Sequence, residues 1–433
     1  MTTLSERIEP FCGVHYDPAV VGDLASVVAP PYDLIGEARQ RELYERSPFN
    51  AVRLELGRDA DRYVAARDTY GEWLRNGALH RAAKPAVYLY TQRFEIAGRT
   101  IARHGFVARV RAEEYARDRI LAHERTFAAA KEDRLRLLAA TETNVSSVFG
   151  LYAGEHSALN RLCDSALNLA PQIVLTDDLK IHNELRAIES REEIAIVQRE
   201  LASARVLIAD GHHRYETALA YRRIRRRREP AAPPKPFDYV MMTLVGCKDP
   251  GLIILPTHRV VHHLDAPTAA SFAARAREHF EVESFSDREQ LVLALRDHSR
   301  GALAVALREG AAMLLLSLKD ARALEAAMPN EAAEVRGLDV TMLHALVLDH
   351  LCGLGPDAIQ AGGIIDYTID ARAAVDAALG GRADGAFLMN PPSIDDVERV
   401  CDAGATMPEK STYFYPKLLT GLVMNPLVDP PLP

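Results

Sequence analysis

The chain has 433 residues, which is too many for a single hydrophobic core, so two or three packed units are expected. Hydrophobic residues make up 48% of the sequence and charged residues 26%, proportions that are ordinary for a soluble globular enzyme or binding protein. The formal net charge of −8 argues against a general nucleic-acid-binding surface.

Cysteine spacing and hydropathy favour a cytoplasmic protein. The five cysteines are scattered without a Cys-x-x-Cys pair, a spacing that indicates neither a zinc site nor a disulfide framework and suits a reducing compartment. The first residues, MTTLSERIEPFCG, are too polar for a signal peptide. No apolar run approaches the ~18 residues of a membrane span. We therefore expect no membrane and no nucleic-acid partner, and leave the oligomeric state open.

The N-terminal region is predicted to mix strands, helices and turns. The segment NAVRLELG places Arg53 on a short strand, where it can bind a phosphate or carboxylate of a substrate or pair with an acidic side chain. Apolar and aromatic residues at helical spacing predict a helix between residues 59 and 80, with its aromatic stripe in the core. Between residues 86 and 112, two alternating runs about the turn AGR predict a β-hairpin.

A charged segment, AHERTFAAAKEDRLRLL, follows the hairpin. It begins with His123 and Glu124, and a histidine–glutamate pair offers a base and a partner for activating a hydroxyl group. Lys131 lies further along, on a predicted helix where residues three apart share a face with it, so Arg134 can lie beside it. A solvated charged face is the ordinary alternative for this helix.

The stretch ARVLIADGHHRYETALAYR, residues 204–222, changes from strand to helix in its middle. Its apolar run ends at Ala209, Asp210 stands at the end of the strand, and the helical pattern begins near His213. Between them, Gly211 permits a sharp turn or a close approach of a ligand. A helix that begins here directs unpaired N–H groups and the positive end of its dipole at the turn. The sequence therefore predicts a phosphate-binding site at this turn.

The side chains around the turn add charge and proton-transfer groups. Arg214 supplies a planar cation suited to bidentate contacts with oxygen atoms. His212 and His213 supply donors or proton carriers that titrate near neutrality. Asp210 can orient a histidine, accept a substrate proton or hold Mg²⁺.

Other interpretations of the turn explain less. Helix capping by Asp210 accounts for the acid and the glycine, but not for two adjacent histidines and an arginine. A zinc site is not favoured, because adjacent histidines cannot easily reach one ion and no His-Glu-x-x-His spacing supplies the rest. The chain also lacks Gly-x-Gly-x-x-Gly and Gly-x₄-Gly-Lys-Ser/Thr loops, so it has neither a dinucleotide fingerprint nor a Walker-type loop.

The remainder of the chain completes a predicted mixed α/β fold. Thr257, His258 and Arg259 follow an apolar strand in LPTHRVV, a position where loops commonly carry function, although a plain edge strand is an equal alternative. Alanine-rich helices then alternate with short strands. We expect a catalytic or ligand-binding region at 1–264 and a helix-rich α/β region at 265–433, whose C-terminal strand can return to the core.

Several segments, in order along nearly the whole chain, resemble a large prokaryotic family of unknown function, domain-of-unknown-function 1015. They are APPYDLI, NAVRLELG, HERT, KEDRLRLL, DPGLIILPTHR and MPEKSTYFYPKLLTGLV. The turn DGHHR is similar to the helix start of the ParB/sulfiredoxin-like superfamily, whose members carry a Gly-x-His-Arg or related turn over nucleotide phosphates. A similar turn, Asp-Gly-His-x-Arg, occurs in enzymes of that superfamily that phosphorylate free serine with ADP or ATP.

The resemblance implies a ParB/sulfiredoxin-like core with additional α/β elements, and ATP or ADP with Mg²⁺ as cofactors. It also implies nucleotide-dependent phosphotransfer to a small hydroxyl metabolite such as free serine. A glutamate is the base in those kinases, which makes Glu124 a candidate here by residue type. The expected catalytic residues are Asp210, His212, His213 and Glu124. The expected phosphate- or nucleotide-binding residues are Gly211, Arg214, His123, Lys131, Thr257, His258 and Arg259, with Arg53 on the substrate.

Two alternatives use the same residues. The protein can bind a nucleotide or phosphometabolite as a sensor without turning it over, or it can hydrolyse a phosphate ester with water as the acceptor. A role in DNA partition is not expected despite the likeness to ParB, because no helix-turn-helix pattern follows the turn and the net charge is negative.

Overall fold

The computed structural model describes residues 7–124, 126, 128–230, 233–298 and 300–428. Its strands are β1 Ile8–Glu9, β2 Val14–Tyr16, β3 Leu79–Arg81, β4 Val87–Ile96, β5 Arg99–Arg111, β6 Ile120–Ala122, β7 Thr143–Asn144, β8 Val148–Tyr152, β9 Ile173–Thr176, β10 His182–Ile188, β11 Val206–Asp210, β12 Tyr239–Gly246, β13 Ile253–Leu255, β14 His258–Val261, β15 Phe280–Phe285, β16 Ala302–Leu307, β17 Ala312–Leu318, β18 Ile365–Thr368, β19 Gly385–Met389, β20 Tyr413–Tyr415 and β21 Asn425–Pro426.

The α-helices are α1 Pro18–Val21, α2 Glu37–Arg46, α3 Val52–Glu55, α4 Arg62–Arg75, α5 Ala128–Thr141, α6 Ser157–Ala166, α7 Arg191–Leu201, α8 His212–Arg228, α9 Ala266–Ala276, α10 Arg288–Asp297, α11 Arg322–Ala327, α12 Ala333–Arg336, α13 Asp339–Met342, α14 Pro356–Ala361, α15 Ala371–Leu379 and α16 Ile394–Asp402. A π-helix, Leu343–Leu351, follows α13 directly. In the described part of the chain, none of the helices combines the length and the apolar composition needed to span a bilayer. The predicted mixed α/β class is confirmed.

The chain divides into two compact units. Unit 1 draws on Met1–Ala122, Thr126–Ile253 and Pro416–Pro433, and unit 2 on His123–Arg125 and Ile254–Tyr415. The boundary between the two units therefore lies near residue 254, whereas the change in composition along the sequence predicted a boundary at 264/265. The physical reason is strand pairing, because β14 of LPTHRVV bonds to β18 and β19 of unit 2. The functional roles assigned to the regions 1–264 and 265–433 stay predictions.

Unit 1 is built on one mixed sheet. Within the described residues, its strands follow the order β6-β11-β8-β12-β5-β4-β10-β9, with β1 against β5. Helices α6, α7 and α8 pack on it, since Leu159, Val197 and Tyr215 share an apolar cluster with Val206 of β11. β11 runs parallel to β6 and antiparallel to β8, so it lies inside the sheet. Its residues 206–209 are all buried, which explains an apolar run without polar alternation.

The predicted β-hairpin in unit 1 is confirmed. β4 and β5 pair antiparallel along their length. The two residues of the turn, Ala97 and Gly98, have φ of 49° and 74°, and two-residue hairpin turns of this type need positive φ at both positions. In this register, the buried Gln92 and Arg103 lie opposite each other. The hairpin thus carries a polar pair into the interior of the sheet.

Near the N-terminus, one predicted helix is confirmed and one predicted strand is wrong. Helix α4 buries Tyr70 and Trp73 as its aromatic stripe indicated. Arg53 lies on helix α3 instead of a strand, because the Asn50 side chain accepts a hydrogen bond from an N–H at the start of α3 (3.0 Å). The Arg53 guanidinium donates to the carbonyl oxygen of Tyr44 (2.8 Å) and lies 4.3 Å from that ring's centre. Its role in substrate binding stays a prediction.

Unit 2 is built on an antiparallel sheet. In the described residues its strand order is β15-β17-β16-β19-β14-β18. Helices α10 and α15 share its main apolar cluster with alternate residues of β16, namely Ala302, Ala304 and Ala306. Small side chains on the strand let the two helices approach the sheet closely. This explains the alanine-rich texture of the sequence in this part of the chain.

Candidate functional site

The strand-to-helix turn of unit 1 has the predicted geometry. β11 ends at Asp210, and α8 begins at His212. Between them, Gly211 has φ 89° and ψ 31°, a left-handed conformation that glycine adopts without steric cost. A Cβ at this position would lie 2.9 Å from Nε and Nη2 of Arg214. Glycine is thus required both by the backbone and by the arginine that folds over it.

Asp210 holds two cations from distant parts of unit 1. Its Oδ2 accepts a hydrogen bond from Nη2 of Arg214 at 2.7 Å, and its Oδ1 accepts one from Nζ of Lys417. Nη1 of Arg214 also donates to the carbonyl oxygen of Ser147 (2.6 Å). A register shift between Ile208 and Asp210 marks a bulge, and such bulges re-aim side chains. We call Asp210, Gly211, Arg214 and Lys417 the turn site.

The charge of Asp210 is fixed by its neighbours. Burial opposes ionisation, but the charges of Lys417 and Arg214 and the hydrogen bond from Lys417 outweigh it, so the pKa of Asp210 lies well below its usual value. His212, which is buried at the start of α8, acts in the same direction. Asp210 is therefore an ionised carboxylate whose two oxygens each contact a cation.

Lys417 is positioned by the interior of the sheet. Nε2 of Gln92 donates to the carbonyl oxygen of Lys417 (3.1 Å). The buried Arg103 donates to Gln92 and to the carbonyl oxygen of Pro416, and its guanidinium lies 4.7 Å from the ring centre of Phe149. Burial lowers the pKa of Arg103 to about 10, so it keeps its charge at neutral pH. The polar pair of the hairpin thus attaches the C-terminal segment to the sheet.

A small cavity adjoins Arg214 on its other side. It has a volume of about 50 Å³, and its lining includes Glu55, Arg134, Arg214 and Thr217. Nη1 of Arg134 donates to the carbonyl oxygen of Glu55 (2.9 Å), and its guanidinium lies 4.3 Å from the ring centre of Tyr32. Within the described residues, Nε of Arg214 and the hydroxyl of Thr217 are buried without a hydrogen-bond partner. The segments APPYDLI, NAVRLELG and KEDRLRLL therefore meet beside the turn site.

The other predicted residues of unit 1 are placed differently. Lys131 on α5 bonds to Oε2 of Glu216 on α8 at 2.9 Å, and the Thr126 hydroxyl donates to the same oxygen at 2.8 Å. The ammonium group of Lys131 thus belongs to an ion pair with Glu216. His213 is half-buried in the first turn of α8, directly after the buried His212. The functional roles of these side chains stay predictions.

The remaining predicted residues lie in unit 2, around Arg259. This arginine is fully buried on β14, and its Nη2 lies 3.2 Å from Nε2 of His344 and 3.3 Å from the carbonyl oxygens of Glu409 and Lys410. Its guanidinium also lies 5.3 Å from the ring centre of Tyr367. Burial lowers the pKa of Arg259 to about 10 and that of His344 to about 3. We call Arg259, His344, Tyr367, Glu409 and Lys410 the arginine site.

His123 and Glu124 pack against the same loop of unit 2. Nε2 of His123 lies 2.9 Å from the hydroxyl oxygen of Thr412, and Oε1 of Glu124 accepts a hydrogen bond from the N–H of Lys410 (3.3 Å). Burial raises the pKa of the neighbouring Glu409, and the negative charge of Glu124 raises it further. Arg125 of the HERT segment lies outside the described residues.

Thr257 and His258 are both buried next to Arg259. The carbonyl oxygen of Thr257 accepts a hydrogen bond from the Arg259 guanidinium. Nδ1 of His258 accepts a weak hydrogen bond from the N–H of Met389 (3.4 Å). Burial and the charge of Arg259 lower the pKa of His258 to about 4, so its ring is neutral at physiological pH. Their contacts are those of interior residues, and their binding roles stay predictions.

The expected site residues did not include several side chains that the structure brings to these two sites. Lys417 completes the turn site with support from Arg103, and His344 and Tyr367 complete the arginine site. A signal for Lys417 was present, because it lies in the family-like segment MPEKSTYFYPKLLTGLV. Its partner was not indicated, since 207 positions separate Lys417 from Asp210.

Fold and site together define a mixed α/β protein with a cation-lined strand-to-helix turn. A family model described as "Protein of unknown function (DUF1015)" matches residues 8–341, so the chain belongs to this family. No curated protein matches the chain.

Some solved structures are weakly similar to the chain. A variant of a free serine kinase in complex with AMP has 10% identity and a TM-score of 0.39, covering 76% of this chain and 93% of that one. A conserved hypothetical protein from Pyrococcus furiosus has 13% identity and a TM-score of 0.34, with coverages of 72% and 92%. SbnI from Staphylococcus aureus, truncated at its C-terminus, has 9% identity and a TM-score of 0.33, with coverages of 72% and 85%.

We predict that Gly211→Ala destabilises the protein more than Gly98→Ala does. Both glycines have positive φ, so both variants carry the strain of a left-handed alanine, about 1–3 kcal/mol. Only at Gly211 does the new Cβ also meet the Arg214 guanidinium, since at Gly98 no atom of the described residues, apart from its two chain neighbours, lies within 4 Å of the Cβ position. Urea denaturation of the two variants measures the difference. Equal losses of unfolding free energy would show that Arg214 does not depend on the glycine.

We also predict that Asp210→Asn lowers stability at neutral pH by about 3–5 kcal/mol, because it removes the partner of two cations. The pKa of Asp210 is lowered in the folded protein, so its stabilisation is present above the usual value of 3.8 and is lost as the pH falls through the folded pKa. The difference in unfolding free energy between wild type and Asp210→Asn should therefore become smaller below about pH 4.

Chemical denaturation at a series of pH values tests this prediction. Glu155→Gln is the control, because Glu155 pairs with Lys248 at an exposed position, and we expect little change in stability. If the loss of unfolding free energy in Asp210→Asn did not change with pH, the assignment of Asp210 as an ionised carboxylate would be contradicted.

Proposed function

We propose that the turn site binds the phosphate groups of a nucleotide. The observation that carries this proposal is the convergence of Arg214 and Lys417 on the single carboxylate of Asp210, at the N-terminus of α8. Two cations and one anion leave a net positive charge beside the first N–H groups of a 17-residue helix. Both the charge and the helix dipole favour an anion at this position.

We further propose that the bound nucleotide is ATP or ADP and that it donates a phosphoryl group to a small hydroxyl metabolite such as free serine. The hydroxyl oxygen attacks the terminal phosphorus, its proton passes to a base, and the nucleotide leaves with one phosphate fewer. Arg214 and Lys417 would offset the negative charge on the transferred group. Catalysis of this type rests on positioning and charge stabilisation, which is what such cations supply.

In this proposal Asp210 is a positioning residue. Both of its oxygens contact cations and its pKa is lowered, so it is a poor acceptor for a substrate proton. For the same reason it does not fit as a ligand of Mg²⁺, and we derive no step through that ion. The half-buried His213 is our candidate proton carrier in unit 1, and we assign Glu124 of unit 2 no step.

A second candidate is a sensor that binds a nucleotide or phosphometabolite without turnover. The state of Asp210 favours it, because the turn site then holds cations for an anion but no carboxylate available as a base. The kinase and the sensor share the phosphate-binding site, and they differ only in whether a phosphoryl group is transferred.

The purified full-length protein distinguishes the candidates. Incubation with ATP or ADP, Mg²⁺ and serine, followed by detection of phosphoserine, tests the kinase. Tight nucleotide binding by calorimetry without product, across a panel of hydroxylated metabolites, would identify a sensor. Phosphate release from phosphoserine without nucleotide would identify a hydrolase. If ATP, ADP and phosphoserine all fail to bind, the proposal of a phosphate-binding site at the turn is wrong.

We predict that Lys417→Gln weakens nucleotide binding about 10- to 100-fold, since a hydrogen bond to a charged group contributes about 1.5–3 kcal/mol. Arg214→Lys keeps the charge but loses the planar fork, and it should also weaken binding. Calorimetric titration with ADP measures both variants. Lys248→Gln is the control, because Lys248 pairs with Glu155 at an exposed position. If Lys417→Gln bound ADP with wild-type affinity, Lys417 would not be part of the phosphate-binding site.

A further inference from the structure

A group of three metal-binding side chains lies on unit 2. Glu278 and His279 occupy the turn between α9 and β15, and His350 lies near the end of the π-helix. Among the described residues, their carboxylate and ring nitrogen atoms all lie within 4.8 Å of one another. We propose that Glu278, His279 and His350 bind a divalent transition-metal ion such as Zn²⁺.

The donor set selects the kind of ion. Two imidazoles and one carboxylate suit zinc and its neighbours in the first transition series, whereas Ca²⁺ and Mg²⁺ prefer oxygen ligands throughout. Three protein ligands leave a fourth position of a tetrahedral ion open for water or a further ligand. The chemistry of the site is thus that of an open, histidine-rich zinc site.

The present distances are close to those of a bound ion. Oε1 of Glu278 lies 3.9 Å from Nε2 of His279, and the two histidine ring centres are 5.5 Å apart. Ligand atoms about 2.0–2.1 Å from a tetrahedral ion lie roughly 3.4 Å from each other. Glu278 and His350 are exposed, so small rotations of these side chains can close the difference without moving the core.

The backbones that carry the ligands are fixed without an ion. Arg275 donates to the carbonyl oxygens of His350 (2.8 Å) and Leu351 (2.7 Å), which satisfies the end of the π-helix. The N–H of Lys319 donates to the carbonyl oxygen of His279 (3.0 Å), and its Nζ donates to that of Arg277 (2.6 Å). The positive charges of Arg275 and Lys319 oppose a bound cation, so we expect weaker binding than in a closed structural site.

A bound ion would add a second link between two elements that Arg275 already joins by hydrogen bonds. It would join the turn after α9 to the end of the π-helix, a helix type whose long runs are uncommon. The same π-helix carries His344, which contacts Arg259 in the arginine site. Metal binding would therefore stabilise the element that supports that arginine. The proposal is independent of nucleotide binding by unit 1.

Competition between the tag-free, full-length protein and a chromogenic zinc chelator tests the site. We expect one Zn²⁺ bound by the wild type, with at least about tenfold weaker binding in His279→Gln and in His350→Gln, since loss even of outer-shell partners costs 10- to 100-fold. His262→Gln is the matched control, because His262 contacts a single carboxylate, that of Asp366 (2.9 Å), and its substitution should leave affinity unchanged.

Two further measurements separate this site from others. The visible spectrum of added Co²⁺ reports histidine ligation and should disappear in the His279→Gln/His350→Gln double variant. Zn²⁺ should raise the melting temperature of the wild type but not that of the double variant, while both melt alike in the presence of chelator. Zinc affinity in the double variant equal to that of the wild type would overturn the proposal, as would an equal loss in His262→Gln.

Discussion

The carboxylate of Asp210 is partly buried at the end of an interior strand and yet stays charged, and the organisation of unit 1 follows from that requirement. An isolated buried charge is costly, so the fold supplies two cations, one from the first turn of α8 and one from the C-terminal segment. The second cation needs its own support, which Gln92 and Arg103 provide from within the hairpin. A single acid therefore connects β11, the central hairpin and the end of the described chain.

The same arrangement limits what Asp210 itself can do at the turn. A carboxylate that accepts hydrogen bonds from two cations also orients them, and it gives up its capacity to accept a proton. In the proposed function, phosphate binding and proton transfer are therefore assigned to different side chains. His123, Glu124, Thr257 and His258 lie in unit 2 with the buried Arg259, which is satisfied mainly by carbonyl oxygens and His344. Each unit thus has its own polar cluster, around Asp210 in unit 1 and around Arg259 in unit 2.

Local patterns predicted the elements that local forces determine. The hairpin, the aromatic helix and the strand–Gly211–helix turn were all evident, because alternation, helical spacing and a glycine each report a backbone preference. The helix at Arg53 was missed, since four residues carry little periodicity and its start depends on the Asn50 side chain. Membership of LPTHRVV in unit 2 was also hidden, because an apolar strand does not reveal which sheet it joins. Contacts such as Lys417 with Asp210, or His350 with His279, arise only from the tertiary fold.

The separation of Lys417 from Asp210 has a consequence for biosynthesis. A ribosome adds residues in order, so 207 further amino acids must be polymerised after Asp210 before its second cation exists. During that interval, Arg214 is the one of the two cations that has already been synthesised. The turn therefore acquires its full positive charge only late in translation, when Pro416 and Lys417 close against the hairpin. A nascent chain that has not reached this segment lacks one of the two cations that we propose hold phosphate.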